Sequence, residues 1–292
     1  MNPRLLASLV LIATCLSGVA TAAQPELVWT TSGLKAPESA VHDTARDLFY
    51  VSNVNGQPQA ADGNGAISRV GPKGELLEYA WVGGLDAPKG LAVARGEDGS
   101  GDRLYAADID TLIEIDIESG RIVNRYTAEG VKSLNDVTIA PNGAVYVSDM
   151  GASAIYRLHN GAFEPWLSND SGALCTPNGV LAGRERLIVG CWQAGSGEGA
   201  GPGRLLAVDY DDKTVTSLTG PLGHIDGVEA DAHGGYYITD WMAGGLWHAT
   251  GGQFKQLLDL DRSSADLAYV PGRNLVVIPM MLDNSLRAYR LP

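Results

Sequence analysis

The sequence is poor in the softer metal-binding and nucleophilic side chains. It holds 5 histidines and 3 cysteines in 292 residues, with no HExxH or CxxC run. Zinc chemistry of the clustered Cys/His kind therefore has no material to work with. Basic residues are scarce too: 21 Lys and Arg against 34 Asp and Glu leave a net charge of −13, which excludes a phosphate backbone as partner. Long apolar runs are missing. The run from Leu5 to Leu16 is shorter than the roughly 20 residues that span a bilayer. Helix-favouring stretches are few, whereas glycine, at 37 residues, is abundant, as many short strands joined by tight turns require.

That apolar run has another reading. Arg4 precedes it, and small residues stand at Ala20 and Ala22, the layout of a secretory leader cleaved near residue 23. The expectation is a leader over residues 1–23 and a mature domain over 24–292, periplasmic or secreted, monomeric and free of the membrane. Cleavage would remove Cys15 and leave Cys175 and Cys191, either as a disulfide or as two buried thiols.

The mature chain repeats. A strand pattern recurs as LFYVSN (48–53), RLYAAD (103–108), AVYVSD (144–149), LIVGCW (187–192), YYITDW (236–241) and LVVIPM (275–280). A shorter strand precedes each one, opening at Glu38, Lys89, Asn135, Asn178, Asp226 and Ala265; these openings lie 51, 46, 43, 48 and 39 residues apart. Four-strand repeats of about 40–50 residues predict an all-β, six-bladed β-propeller. The last repeat ends at Pro292 without a fourth strand, and ELVWTTS (26–32) has the pattern to close that last blade from the N-terminal end.

In a propeller the first strand of each blade lines the central channel, so the six opening residues face its axis. Read singly, Asn178-Gly179 or Asp226-Gly227 is a turn former. Read together, Glu38, Asn135, Asn178 and Asp226 converge four side-chain oxygens carrying two negative charges. Hard oxygen donors of that kind suit Ca2+, with Mg, Mn or Zn as other divalent candidates, and leave coordination positions for water or substrate.

The segments PES (37–39), LND (134–136), PNGV (177–180) and DGVEADAHGGYYITDW (226–241) resemble the gluconolactonase/regucalcin (senescence marker protein) family of six-bladed propellers. The resemblance to diisopropyl fluorophosphatase and the paraoxonases is more distant. It implies a central Ca2+ or similar ion supporting hydrolysis of a lactone or organophosphate. Carried over by motif, Glu38, Asn178 and Asp226 would hold the ion, Asn135 would be a fourth ligand or a substrate contact, and Asp136 would orient the substrate or brace the site.

The expected activity is a Ca2+-dependent lactonase acting on a small lactone or ester. Proton transfer then falls to Asp226, Asp136 or His224, with Asp266 in the blade-six position that Asp136 has in blade three. Loops leaving the second strands start at Val54, Ile109, Met150, Trp192, Trp241 and Met281, which predicts an apolar rim; Trp192, Trp241, Met150 and Asn135 are its candidate substrate contacts. Two long loops there, 53–65 and 192–203, have the glycine content of lids. The alternative is a non-catalytic propeller that binds a ligand or protein and uses the axial ion as a staple.

Overall fold

A computed structural model describes residues 23–96, 101–169, 172–195 and 200–292. The expected leader, apart from its last residue, and Cys15 lie outside the described residues. Among these, no helix is long and apolar enough to cross a membrane.

The strands form six four-stranded antiparallel sheets. The strand β1 (Glu26–Thr31) comes first in the chain. Blade 1 is β2 (Pro37–Asp43), β3 (Leu48–Asn53), β4 (Gly65–Val70) and β5 (Leu76–Leu85). Blade 2 is β6 (Pro88–Ala94), β7 (Arg103–Asp108), β8 (Thr111–Asp116) and β9 (Arg121–Tyr126). Blade 3 is β10 (Leu134–Ile139), β11 (Val145–Asp149), β12 (Ala154–His159) and β13 (Ala162–Ser168). Blade 4 is β14 (Thr176–Ala182), β15 (Arg186–Gln193), β16 (Leu205–Asp209) and β17 (Val215–Ser217). Blade 5 is β18 (Ile225–Ala230), β19 (Tyr236–Asp240), β20 (Gly245–Thr250) and β21 (Gln253–Asp259). Blade 6 is β22 (Ala268–Val270), β23 (Leu275–Met280) and β24 (Ser285–Arg290), with β1 as its outer strand. The six-bladed ring is thus closed by its N-terminal strand, Glu26 pairing with Arg290 and Thr31 with Leu286.

The apolar residues divide into six clusters, each filling the gap between two neighbouring blades. The period-two alternation of each strand causes this. One face of a blade packs on the blade before it and the other on the blade after it. Tyr50, for example, stacks on Trp81 within blade 1 and packs against Leu91 and Leu104 of blade 2.

The ladder between first and second strands slips at one fixed place. Pro37 pairs with Asn53, but the next pair is Ala40 with Val51; the same shift separates Pro88 from Leu91, Leu134 from Val137, Pro177 from Val180 and Ile225 from Val228. A bulge places two residues against one and re-aims a side chain. Glu38, Lys89, Asn135, Asn178 and Asp226 are each the first residue of such a bulge. In blade 6 only an isolated bridge, Ser264 with Met280, precedes the ladder, so its first strand starts at Ala268 rather than at Ala265.

Cys175 and Cys191 form a disulfide, which joins the entrance of β14 to the middle of β15. Of the two states open to them in the sequence, the structure has the bridge.

Candidate metal centre

Glu38, Lys89, Asn135, Asn178 and Asp226 are all buried although all are polar. Ala265, also buried, completes the ring without a polar atom. Their backbone is held by a repeated device. The Ser148 hydroxyl accepts the Asp136 N–H at 2.9 Å and donates to the Asn178 carbonyl of the next blade at 2.6 Å. Thr239 does the same between Gly227 N and Ala265 O, at 2.8 and 2.9 Å. Ser52 accepts the Ser39 N–H at 2.9 Å. These hydroxyls occupy one position in YVSN, YVSD and YITD, a regularity visible in the sequence whose function comes from the neighbouring blade.

The residues just below the axial ring are Ser39, Gly90, Asp136, Gly179, Gly227 and Asp266. The glycines let blades approach closely. A Cβ on Gly179 would stand 2.1 Å from the Asp226 carbonyl oxygen, and one on Gly90 would stand 2.4 Å from Asp136 Cα. Asp136 accepts from Val137 N at 2.7 Å and, through its other oxygen, from Val180 N at 2.6 Å, so it clasps blade 3 to blade 4. Asp266 accepts from the Ser39 hydroxyl at 2.6 Å, and its own N–H reaches the Glu38 carbonyl at 3.0 Å, clasping blade 6 to blade 1. Beneath this layer a cavity of about 200 Å3 runs down the channel between the first strands, past Glu229.

Four carboxylates and one ammonium are therefore gathered on the axis. Burial, then the charges of Asp226 and Asp266, pushes the Glu38 carboxyl well above its ordinary range, and the Lys89 ammonium only partly opposes this. Asp136 and Asp226 are raised for the same two reasons, burial first and the Asp266 charge next. Burial raises Asp266 to about 7. Glu229 lines this cavity and keeps some accessible surface, and burial raises its carboxyl to about 8. Burial lowers the Lys89 ammonium, which donates to Pro58 O at 3.1 Å and Ala87 O at 3.2 Å.

The donor set can be tested for a cation from its own hydrogen bonding. Asn178 Nδ2 donates to Asp226 Oδ1 at 3.2 Å, and this leaves Asn178 Oδ1 buried without a donor. Glu38 Oε2 is likewise buried and unpartnered. Orphaned buried acceptors are costly, and two on one axis amid excess negative charge fit a hard cation. Among the described residues no group of three or more His, Cys, Asp or Glu side chains has metal-holding geometry. The axial set differs from such a group because half of it is amide: Glu38, Asn135, Asn178 and Asp226.

The rim is aromatic on one side. Trp192 packs edge-on against His224, ring centroids 5.2 Å apart, and lies 6.0 Å from Trp241, over which Arg262 stacks at 4.9 Å. His224 lies just ahead of β18 on this wall, two residues before Asp226. Met150 meets Asn135, whose amide donates to the Met150 sulfur at 3.2 Å. Val54 is fully buried, so it packs between blades and the apolar rim is narrower than the sequence implies. Ile109 is held at φ 53°, a conformation rare for a β-branched residue, with its carbonyl bound to Leu134 N at 2.7 Å.

The loop 53–65 reaches across the mouth. Pro58 O accepts a hydrogen bond from the Lys89 ammonium of blade 2, and Gln59 donates to Ser133 Oγ at the entrance of blade 3, at 2.7 Å. The second long loop, 192–203, continues its hairpin through the Gln193–Pro202 bridge; residues 196–199 lie outside the described residues.

No protein-family model and no curated protein matches the sequence. Solved structures do match over nearly the whole chain. A gluconolactonase from Xanthomonas campestris is 16% identical with a TM-score of 0.67, covering 93% of this chain and 96% of its own. A structural-genomics target described as a candidate gluconolactonase is 16% identical with a TM-score of 0.64, over 91% of each chain. A streptogramin B lyase is 13% identical with a TM-score of 0.62, covering 92% of this chain and 97% of its own. At these identities the likeness is one of fold, and it matches the propeller family that the sequence motifs resemble.

Proposed function

We propose that the chain is an exported, divalent-cation-dependent hydrolase that opens a lactone or a related small ester. The carrying observation is the pair of buried, unpartnered acceptors, Glu38 Oε2 and Asn178 Oδ1, on an axis shared with Asp226. The gluconolactonase identity of fold neighbours supports the choice of substrate class. Glu38, Asn135, Asn178 and Asp226 would hold the ion, Ca2+ by the chemistry of an all-oxygen set. Bound there, it would supply Lewis-acid polarisation of the substrate carbonyl.

The chain's own residues do the rest. Asn178 fixes the orientation of Asp226 through their hydrogen bond. Asp226, held by that bond, is the carboxylate that would take the proton of the attacking water. His224, braced by Trp192, is the second group at the mouth able to exchange a proton. Asp136 has both oxygens on backbone N–H groups, so its part in this scheme is to position Asn135 and β14. Trp192, Trp241 and Met150 give the substrate an apolar wall, and the loop 53–65 shields the mouth from water. The Cys175–Cys191 bridge accords with an oxidising compartment, periplasmic or extracellular.

The test is hydrolysis by the mature protein of a panel of sugar lactones, long-chain lactones and an aryl ester, after EDTA and after Ca2+ is restored. Turnover that follows the ion is expected. Thermal stabilisation by Ca2+ with no turnover on any substrate would replace this reading with a non-catalytic, ligand-binding propeller.

A further inference from the structure

The contact between blades 4 and 5 is built from smaller side chains than its counterparts. In four blades the middle of the second strand carries a tyrosine aimed at the next blade, paired across the strand with a long side chain: Tyr50 with Arg69, Tyr105 with Glu114, Tyr146 with Arg157 and Tyr237 with His248. Blade 6 has Val277 with Ala288, but Trp29 of β1 stands opposite Ala288 and packs on Phe49 of blade 1. Blade 4 has Ile188 paired with Ala207, and Thr216 opposite Ala207. No aromatic from blade 4 fills the space, and a cleft of about 680 Å3 remains between blades 4 and 5. That volume lies in the range of small-molecule sites.

The cleft opens on the face of the ring opposite the axial carboxylates, at the turn 183–186 between β14 and β15. Its walls are apolar, with Leu181, Leu205 and Leu218 on blade 4 and Tyr236 on blade 5. Its lip carries Arg184 and Arg186, with Glu185 between them. In this acidic chain most arginines are committed: Arg46, Arg69, Arg103 and Arg157 each meet a carboxylate. Arg184 and Arg186 stand in none of the ion pairs among the described residues. Unpaired guanidinium groups beside an apolar slot match a ligand with an apolar body and a carboxylate end, which arginine binds through two parallel hydrogen bonds.

We propose that the cleft between blades 4 and 5 is a binding site for an amphipathic carboxylate, an alkyl or aryl acid whose apolar body lies against Leu181, Leu205 and Leu218 and whose carboxylate meets Arg184 and Arg186. It is separate from the axial centre and independent of the hydrolase reading.

Calorimetric titration of the mature protein with decanoate and with decanol, both below their aggregation limits, tests this. One saturable decanoate site per chain is expected, with decanol about 10-fold weaker or worse, the size of a charge-assisted hydrogen bond. Ile188→Tyr should abolish binding by restoring the side chain that four other blades have, and Ala207→Met serves if that variant fails to fold. Arg184→Gln with Arg186→Gln should remove the preference for the acid, and Asp226→Ala should leave binding intact. Absence of saturable binding, equal affinity for the alcohol, retention in a folded Ile188→Tyr protein, or loss in Asp226→Ala would each overturn the proposal.

Discussion

Asn178 donates its side-chain amide to Asp226 Oδ1 across 3.2 Å, and its own Oδ1 is left buried with no donor in reach. The two residues come from neighbouring blades, 48 positions apart. Removing either side chain should therefore damage one shared site. Asn178→Ala and Asp226→Ala are expected to lower cation-dependent lactone turnover by on the order of 10²–10³, the loss seen when oxyanion stabilisation is removed. Near-UV circular dichroism should stay that of the parent, and turnover that persists in both folded variants would contradict the assignment.

The axial carboxyls set a pH dependence with a definite sign. Burial raises Asp266 to about 7 from an ordinary 3.8. The folded chain holds a proton there that the unfolded chain releases, so this contribution to stability is complete below 3.8 and is lost as pH rises through about 7. Glu38, Asp136 and Asp226 are raised in the same direction. After EDTA treatment, the urea midpoint is expected to fall from pH 5 to pH 8, with a slope up to about 1.4 kcal/mol per pH unit for each proton involved. Asp266→Asn should flatten part of that slope, and excess Ca2+ should flatten more of it. A midpoint that rises over the same range in the stripped protein would count against the buried carboxylate cluster.

Gly179 sits where blade 4 touches blade 5. An added Cβ would stand 2.1 Å from the Asp226 carbonyl oxygen, a backbone atom that cannot swing aside. Gly179→Ala should cost about 1–3 kcal/mol in chemical denaturation, as overpacking does. It should also weaken Ca2+ uptake, because relief of the clash moves Asp226. Gly83→Ala, with no atom within 4 Å of its Cβ and no left-handed backbone, is the comparison for steric effects.

The Cys175–Cys191 bridge closes a short loop, with a sequence separation of 16, beside Asn178. Loops of about 15 residues gain roughly 3 kcal/mol from such closure. Reduction, or Cys175→Ser with Cys191→Ser, is expected to lower the denaturation midpoint accordingly. An unchanged midpoint would mean that blade packing alone fixes the entrance of β14.

Much of this architecture is legible in the sequence because it is periodic. The second-strand motifs locate six blades, and ELVWTTS (26–32) identifies the closing strand because the last repeat lacks one. The axial residues are legible for the same reason: the bulge recurs at one register, so Glu38 and Asp226 announce themselves by position. Features depending on one long-range contact are not. Nothing local in Pro58 or Gln59 says that they bind Lys89 and Ser133, partners 31 and 74 residues away. The sequence leaves the disulfide open because Cys175 lies just ahead of the ladder in which Pro177 pairs with Cys191, and strand register alone does not aim a sulfur. Asp136 illustrates the limit within the site. Its place beside Asn135 is plain in LND, but Val180 N, which occupies one of its oxygens, belongs to the next blade.

The most direct measurement is calcium titration by calorimetry on EDTA-stripped mature protein, with Asp226→Ala and Asn178→Ala alongside. One Ca2+ per chain should bind to the parent and none to either variant at the same concentrations. A parent that takes up no ion, or variants that bind it as the parent does, would contradict an axial cation centre built on Glu38, Asn135, Asn178 and Asp226.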